Sequence, residues 1–144
     1  MVAILRMPAI KERMHEEACE TLWTLTQSSA ENVTQALNVG AVPAVVSTMS
    51  AHPEAETLQA NACFALYVLD KGSAAGQSLT PQIVIKAVLV SMRGHTNSTI
   101  VQKNACMLLY ELIPKSEEND DFAGEEGAVE LVLTVMRGSK NLDM

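Results

Sequence analysis

Apolar positions in this chain fall at helical spacing, and the same arrangement then returns. Ala18-Cys19, Ala62-Cys63 and Ala105-Cys106 recur 44 and 43 residues apart. Leu22, Leu66 and Leu109 follow each Ala by four residues, Leu25, Leu69 and Leu112 by seven, and Trp23, Tyr67 and Tyr110 lie between them. Offsets of four and seven place the Leu residues on one face of a helix. A second block keeps step. Met49, Met92 and Met136 each close an apolar run, and Val42, Val45, Val46 and Met49 form a stripe at i, i+3, i+4 and i+7. A period in the low forties marks like helical units stacked side by side, each touching mainly its neighbours.

Punctuation residues divide each unit into three helices. In the clearest unit, Ser28 or Ser29 caps a short helix over 31–39 that Gly40 ends. A second helix opens at 40–43, where Pro43 is tolerated in the first turn. A third, longer helix begins at Pro53, buries Leu58, Ala62, Leu66 and Leu69, and stops at Lys71-Gly72-Ser73 with Gly72 as a left-handed cap. Further on, Thr80 caps and Pro81 opens a helix over 82–93 that turns Ile85, Val88, Leu89 and Met92 inward, and a long helix ends at Pro114. A short helix near 119–123 and another over 126–137, with Val129, Val132, Leu133 and Met136 inward, complete the pattern. Residues 2–7 read as the tail of an earlier second helix. The boundaries are 1–27 (partial), 28–70 (complete), 71–115 and 116–144 (partial), an expectation of a segment from a longer array.

Composition sharpens this. Hydrophobic residues make up 48 % but aromatics only 3 %, so the core is built of Ala, Val, Leu, Ile and Met, which suits an all-α fold. The net charge of −7, with ten basic residues scattered among seventeen acidic ones, argues against nucleic acid as a partner. The acidic stretch 117–121 reads as a solvated segment or as a steering surface for a basic partner. No apolar run is long enough to span a membrane, so no membrane partner is expected, and residues 1–10 lack a signal peptide's basic start and cleavage site. The three Cys share one repeat position and read as small core hydrophobes, reduced, in an intracellular and more cytoplasmic than nuclear setting. The sequons at Asn32 and Asn97 are short enough to arise by chance.

Residues 30–69, with a short helix, Gly40-Ala41-Val42-Pro43, and a long helix carrying Leu58-Gln59 and later Ala62 and Ala65-Leu66, resemble the armadillo repeat. Gly40-Ala41 and Gly127-Ala128 match the family's small-residue turn; Ile83-Val84 departs from it. Gln59 and Gln102 match the long-helix Gln, where the first unit has His15. The resemblance implies a right-handed superhelix of armadillo or HEAT type, about three repeats of three helices, whose long helices line a concave protein-binding groove. Peptide-binding members hold an extended peptide with Asn and Trp ladders. Here the Asn positions read Thr24, Val68 and Glu111 and the Trp positions Glu20, Phe64 and Met107, which argues against a nuclear-localisation-signal receptor. One helical step back lie Glu16, Ala60 and Lys103. Phe64, Val68 and Met107 between Glu16, Glu20 and Glu111 suit a partner with an apolar anchor and basic flanks.

Catalytic patterns are not found. His15-Glu16-x-x-Cys19 has the spacing of two helical metal ligands but no third or fourth nearby, and His52 and His95 read as turn residues. Residues 72–76 lack the Lys of a phosphate loop, and no Gly-x-Ser-x-Gly occurs. No enzyme activity, metal or cofactor is expected. The expected function is a protein–protein interaction scaffold binding a protein or extended peptide; the alternatives are a self-associating repeat module joined through its open ends or a regulatory arm of a larger enzyme.

Overall fold

The computed structural model describes the backbone of residues 2–74 and 81–142, and the side chains of 10–74 and 81–138. The chain is all-helical, with no strand among the described residues. Its elements are α1 (Val2–Thr26), α2 (Ala30–Asn38), α3 (Ala41–Ala51), α4 (Glu56–Gly72), α5 (Pro81–Gly94), α6 (Thr99–Leu112), a 3-10 turn (Ile113–Lys115), α7 (Glu117–Glu125) and α8 (Ala128–Leu142). The long helices pack in succession, α1 on α4 and α4 on α6. The helices α3, α5 and α8 pack in a parallel succession, and α3 meets α4 as α5 meets α6.

Two local devices repeat 87 residues apart. Ser29 Oγ accepts from Asn32 N at 3.1 Å and Ser116 Oγ from Asn119 N at 3.0 Å, each capping a short helix. Asn32 Nδ2 then reaches back to Leu25 O at 2.8 Å, as Asn119 Nδ2 does to Leu112 O at 2.9 Å, satisfying a carbonyl at the end of the preceding long helix. Gly40 and Gly127 both adopt φ 85°, a left-handed turn that an L side chain resists, and each hands the short helix to the next one. Two earlier expectations change here. Gly72 has no left-handed φ and lies inside α4; a Cβ there would sit 2.6 Å from Val33 Cγ2, so the glycine permits the close approach of α2 to α4. Residues 2–7 do not form a separate helix: helical propensity on both sides of Pro8 prevails and α1 runs through it. The Thr80 cap lies outside the described residues, and of the link before α5 only Ser73 and Ala74 are described.

The core is the apolar seam. Leu58, Ala62, Cys63 and Leu69 on α4, Ile85, Val88, Leu89 and Met92 on α5, and Ala105, Leu108 and Leu112 on α6 are almost wholly buried. Each large side chain so buried contributes roughly 1.5–3 kcal/mol, against roughly 0.5–1.5 for a hydrogen bond, so the seam carries the stability. The polar ties fix register. Gln59 Nε2 donates to Met49 O (2.9 Å) and His52 O (2.8 Å), and Gln102 Nε2 donates to Met92 O (2.9 Å) and His95 O (2.7 Å). Each pair closes the end of a second helix against its long helix. Between units, Asn61 Nδ2 donates to Glu16 O at 3.4 Å and Asn104 Nδ2 to Ala60 O at 3.0 Å.

The seam is not closed at its two sides, which corrects the inward assignment on α8. Val129, Leu133 and Met136 are 61, 41 and 57 % exposed, and the residues turned to the core are Ala128 and Leu131, with Val135 packed against it. Leu25, counterpart of the buried Leu69 and Leu112, is 57 % exposed. The cause is the same in both places: α8 and α1 have a packed neighbour on one side only among the described residues.

Gly72→Ala should cost about 1–3 kcal/mol in urea denaturation, because the added methyl strikes a fully buried Val33. Combined with Val33→Ala, its cost should be less than the sum of the two single changes. Gln102→Leu should cost about 0.5–1.5 kcal/mol by the same measurement, since it removes the side-chain donor shared by the carbonyls of Met92 and His95, which keep only their backbone donors.

Candidate partner-binding face

The faces of α1, α4 and α6 turned away from the second helices carry the residues that the sequence singles out, and these residues break the repeat. At one position stand Glu20, Phe64 and Met107, exposed, half-buried and half-buried. One turn back stand Glu16, Ala60 and Lys103, of which Ala60 is buried between its neighbours. At the third position Thr24 is exposed, but its hydroxyl donates to Glu20 O at 2.8 Å within the helix. Val68 is only 8 % exposed and offers a partner almost no surface. Glu111 pairs with Lys71 across α4 and α6 at 3.4 Å.

A row that the sequence reading noted only as a recurring aromatic lies on this face. Trp23 meets Phe64 edge-to-face with ring centroids 5.0 Å apart, and Phe64 meets Tyr67 at 6.0 Å. Edge-to-face pairs add roughly 0.5–1.5 kcal/mol beyond burial, so they hold the rings in place while leaving surface free. Tyr67, Lys103, Cys106, Met107, Tyr110 and Glu111 line an open hollow of about 560 Å³, with Tyr110 standing 78 % exposed at its rim. The signal that could have found this row was in the sequence. An aromatic at the same repeat position in all three long helices, one residue after a core Leu, cannot share that residue's inward direction.

Electrostatically the face is split. Glu16 and Glu20 on α1 and Lys103 on α6 make no ion pair among the described residues. Glu17 is paired with Arg13 at 3.7 Å, and Lys115 is bound to the buried Asp70. The free acids therefore lie on the α1 side of the aromatic row and the free base on the α6 side.

Of the thiols, Cys19 and Cys63 are buried, while Cys106 is half-buried in the lining of the hollow beside Tyr110. Burial pushes Cys63 up to about 12 and Cys19 up to about 11, and raises Cys106 as well, so all three are neutral near pH 7 and poor nucleophiles. No group of three or more His, Cys, Asp or Glu residues among the described ones could hold a metal. His15 Nδ1 and His52 Nε2 lie 3.0 Å apart, one ring donating to the other, so His15 ties α1 to the end of α3. No helix among the described residues is long and apolar enough to cross a membrane. No protein-family model matches the chain, and neither a curated protein nor a solved structure matches it.

Because the folded thiols bind their protons more tightly than ordinary thiols do, the unfolded chain loses those protons first as pH rises. Their contribution to stability is therefore complete below about pH 9 and is lost on the way up. Urea denaturation should show stability falling between about pH 9 and pH 11, with a shallower fall in Cys63→Ala.

Proposed function

We propose that this chain is a protein–protein interaction module of armadillo type. On this reading, its helical units build a right-handed superhelix, and the outward faces of α1, α4 and α6 receive a protein or an extended peptide. The observation that carries the reading is the aromatic and Met row of Trp23, Phe64, Tyr67, Met107 and Tyr110, in which ring contacts hold the first three and Tyr67, Met107 and Tyr110 line an open hollow. Interface centres are enriched in such residues and depleted in charge, which gathers at the rim. Unpaired Glu16 and Glu20 on one side and Lys103 on the other suit a partner that is basic where it crosses α1 and acidic where it crosses α6. The equal inter-unit ties of Asn61 and Asn104 support a rigid platform, since both hold neighbouring long helices in the same register. Three free thiols, two buried and one half-buried, fit an intracellular setting.

The partner recovered by affinity capture on the wild-type chain should be weakened at least tenfold by Phe64→Ala with Met107→Ala, as for loss of two apolar anchors. Trp23 is the only tryptophan, so its fluorescence should shift when the purified partner is added. Unchanged affinity in the double variant, with Trp23 emission unmoved by the partner, would refute this assignment of the binding face.

A further inference from the structure

We infer that the two sides of the helical stack bind each other head to tail, so that a second copy of this chain is the partner of each. The inference rests on the repeat itself and does not depend on what the long-helix face binds. Within the chain, α5 lies between α3 and α8, and its Ile85, Leu89 and Met92 are fully buried. Their repeat counterparts on α8 are Val129, Leu133 and Met136, all exposed. The converse holds at the other side. Ala62, Leu66, Val84 and Val88 are sealed where α1 and α3 pack on α4 and α5. Their counterparts Ala18, Leu22, Ala41 and Val45 line an open groove of about 350 Å³, with Ala18 exposed and Leu22 half-buried on its α1 wall and the buried Ala41 and Val45 forming its floor on α3. One side thus presents the apolar ridge, and the other the apolar groove, that the chain already mates with each other between its own units.

That continuity identifies the occupant. A second copy laying α8 against the α1–α3 groove repeats the packing of α3 on α5, with a ridge of one Val, one Leu and one Met in place of Val42, Val46 and Met49. Of the residues lining the groove only His15 and Thr48 carry polar side chains, and none carries a permanent charge, so nothing there calls for a charged ligand. Two like ridges meeting would leave the groove empty and bury less apolar surface. A ridge-in-groove contact is heterologous, so it propagates from copy to copy rather than closing as a dimer, unless the rotation completes a ring. The net charge of −7 on every copy opposes this, and added salt screens that repulsion.

Sedimentation velocity of the full chain tests the inference. The expected result is an average mass that grows with concentration past the dimer and grows further at higher salt. Leu133→Glu on the ridge, or Ala18→Glu in the groove, should each weaken association at least tenfold, because either places a charge in an apolar contact. The decisive measurement is the mixture: one variant keeps an intact groove and the other an intact ridge, so together they should give a one-to-one dimer and nothing larger. Met136→Glu and Ala44→Glu replace either change if thermal unfolding shows that it disrupts the fold. A wild-type monomer at every concentration and salt, a mixture that stays monomeric, or a dimer that either variant still forms alone would each overturn it.

Discussion

An isolated helical unit of this chain cannot close its own core. The middle long helix shows why. Leu58, Ala62, Cys63, Leu66 and Leu69 of α4 face the second helices, while Ala60, Ala65 and Val68 are buried beside its long-helix neighbours, so nearly its whole circumference is enclosed. A helix with so wide an apolar surface is stable only between two others. The polar groups admitted to this interior are correspondingly few and each has a fixed task. Gln59 and Gln102 terminate second helices, Asn104 ties one long helix to the last, and Asn119 finishes the end of α6. Burying these amides is tolerable because the Nδ2 or Nε2 of each donates to a backbone carbonyl.

What the sequence disclosed follows from what is local. Helical spacing, Ser29 and Ser116 as caps and Gly40 and Gly127 as turns act over a few residues, so the order and limits of most helices could be read directly. What it concealed depends on neighbours. Whether Met136 is buried like Met92 turns on which helices pack beside it, and the stripe at i, i+3, i+4 and i+7 is the same in both cases. Gly72 looks like a terminator by composition, yet its reason is a valine nearly forty residues earlier in the chain. Pro8 looks like a break, and the helical run on either side overrides it.

The candidate face was partly legible for the same reason. Phe64 and Met107 could be assigned to the outward side from helical offsets, and both are partly open there. Val68 shares that offset within tens of degrees, yet it is buried where α4 packs between α1 and α6. Trp23 gains its place from a ring contact across helices with Phe64, which no spacing along one helix encodes, whereas Phe64 and Tyr67 meet at i, i+3 within α4. Charge pairing is also a matter of neighbours: Glu111 is held by Lys71 from an adjacent helix, while Glu16 and Glu20 stay free.

The positions that repeat hold the helices together, and those that vary lie on the proposed binding face. Gln59 and Gln102, Asn61 and Asn104, Ser29 and Ser116, and Gly40 and Gly127 are identical between units and make identical contacts. These set a constant step between long helices, about 8–10 Å for packed helices of this kind. The outward positions do the opposite. Glu16, Ala60 and Lys103 differ in sign, Glu20, Phe64 and Met107 in polarity, and Thr24, Val68 and Glu111 in both. On the proposed reading, a surface whose spacing is constant and whose chemistry changes at each step would discriminate between partners by order, because a segment shifted by one unit would set its apolar anchor against Glu20 and its charges against Phe64 or Met107. Unpaired charge opposite an apolar side chain costs several times what a matched contact gains, so on that reading the mismatches would set the register of a bound segment more than the matches would.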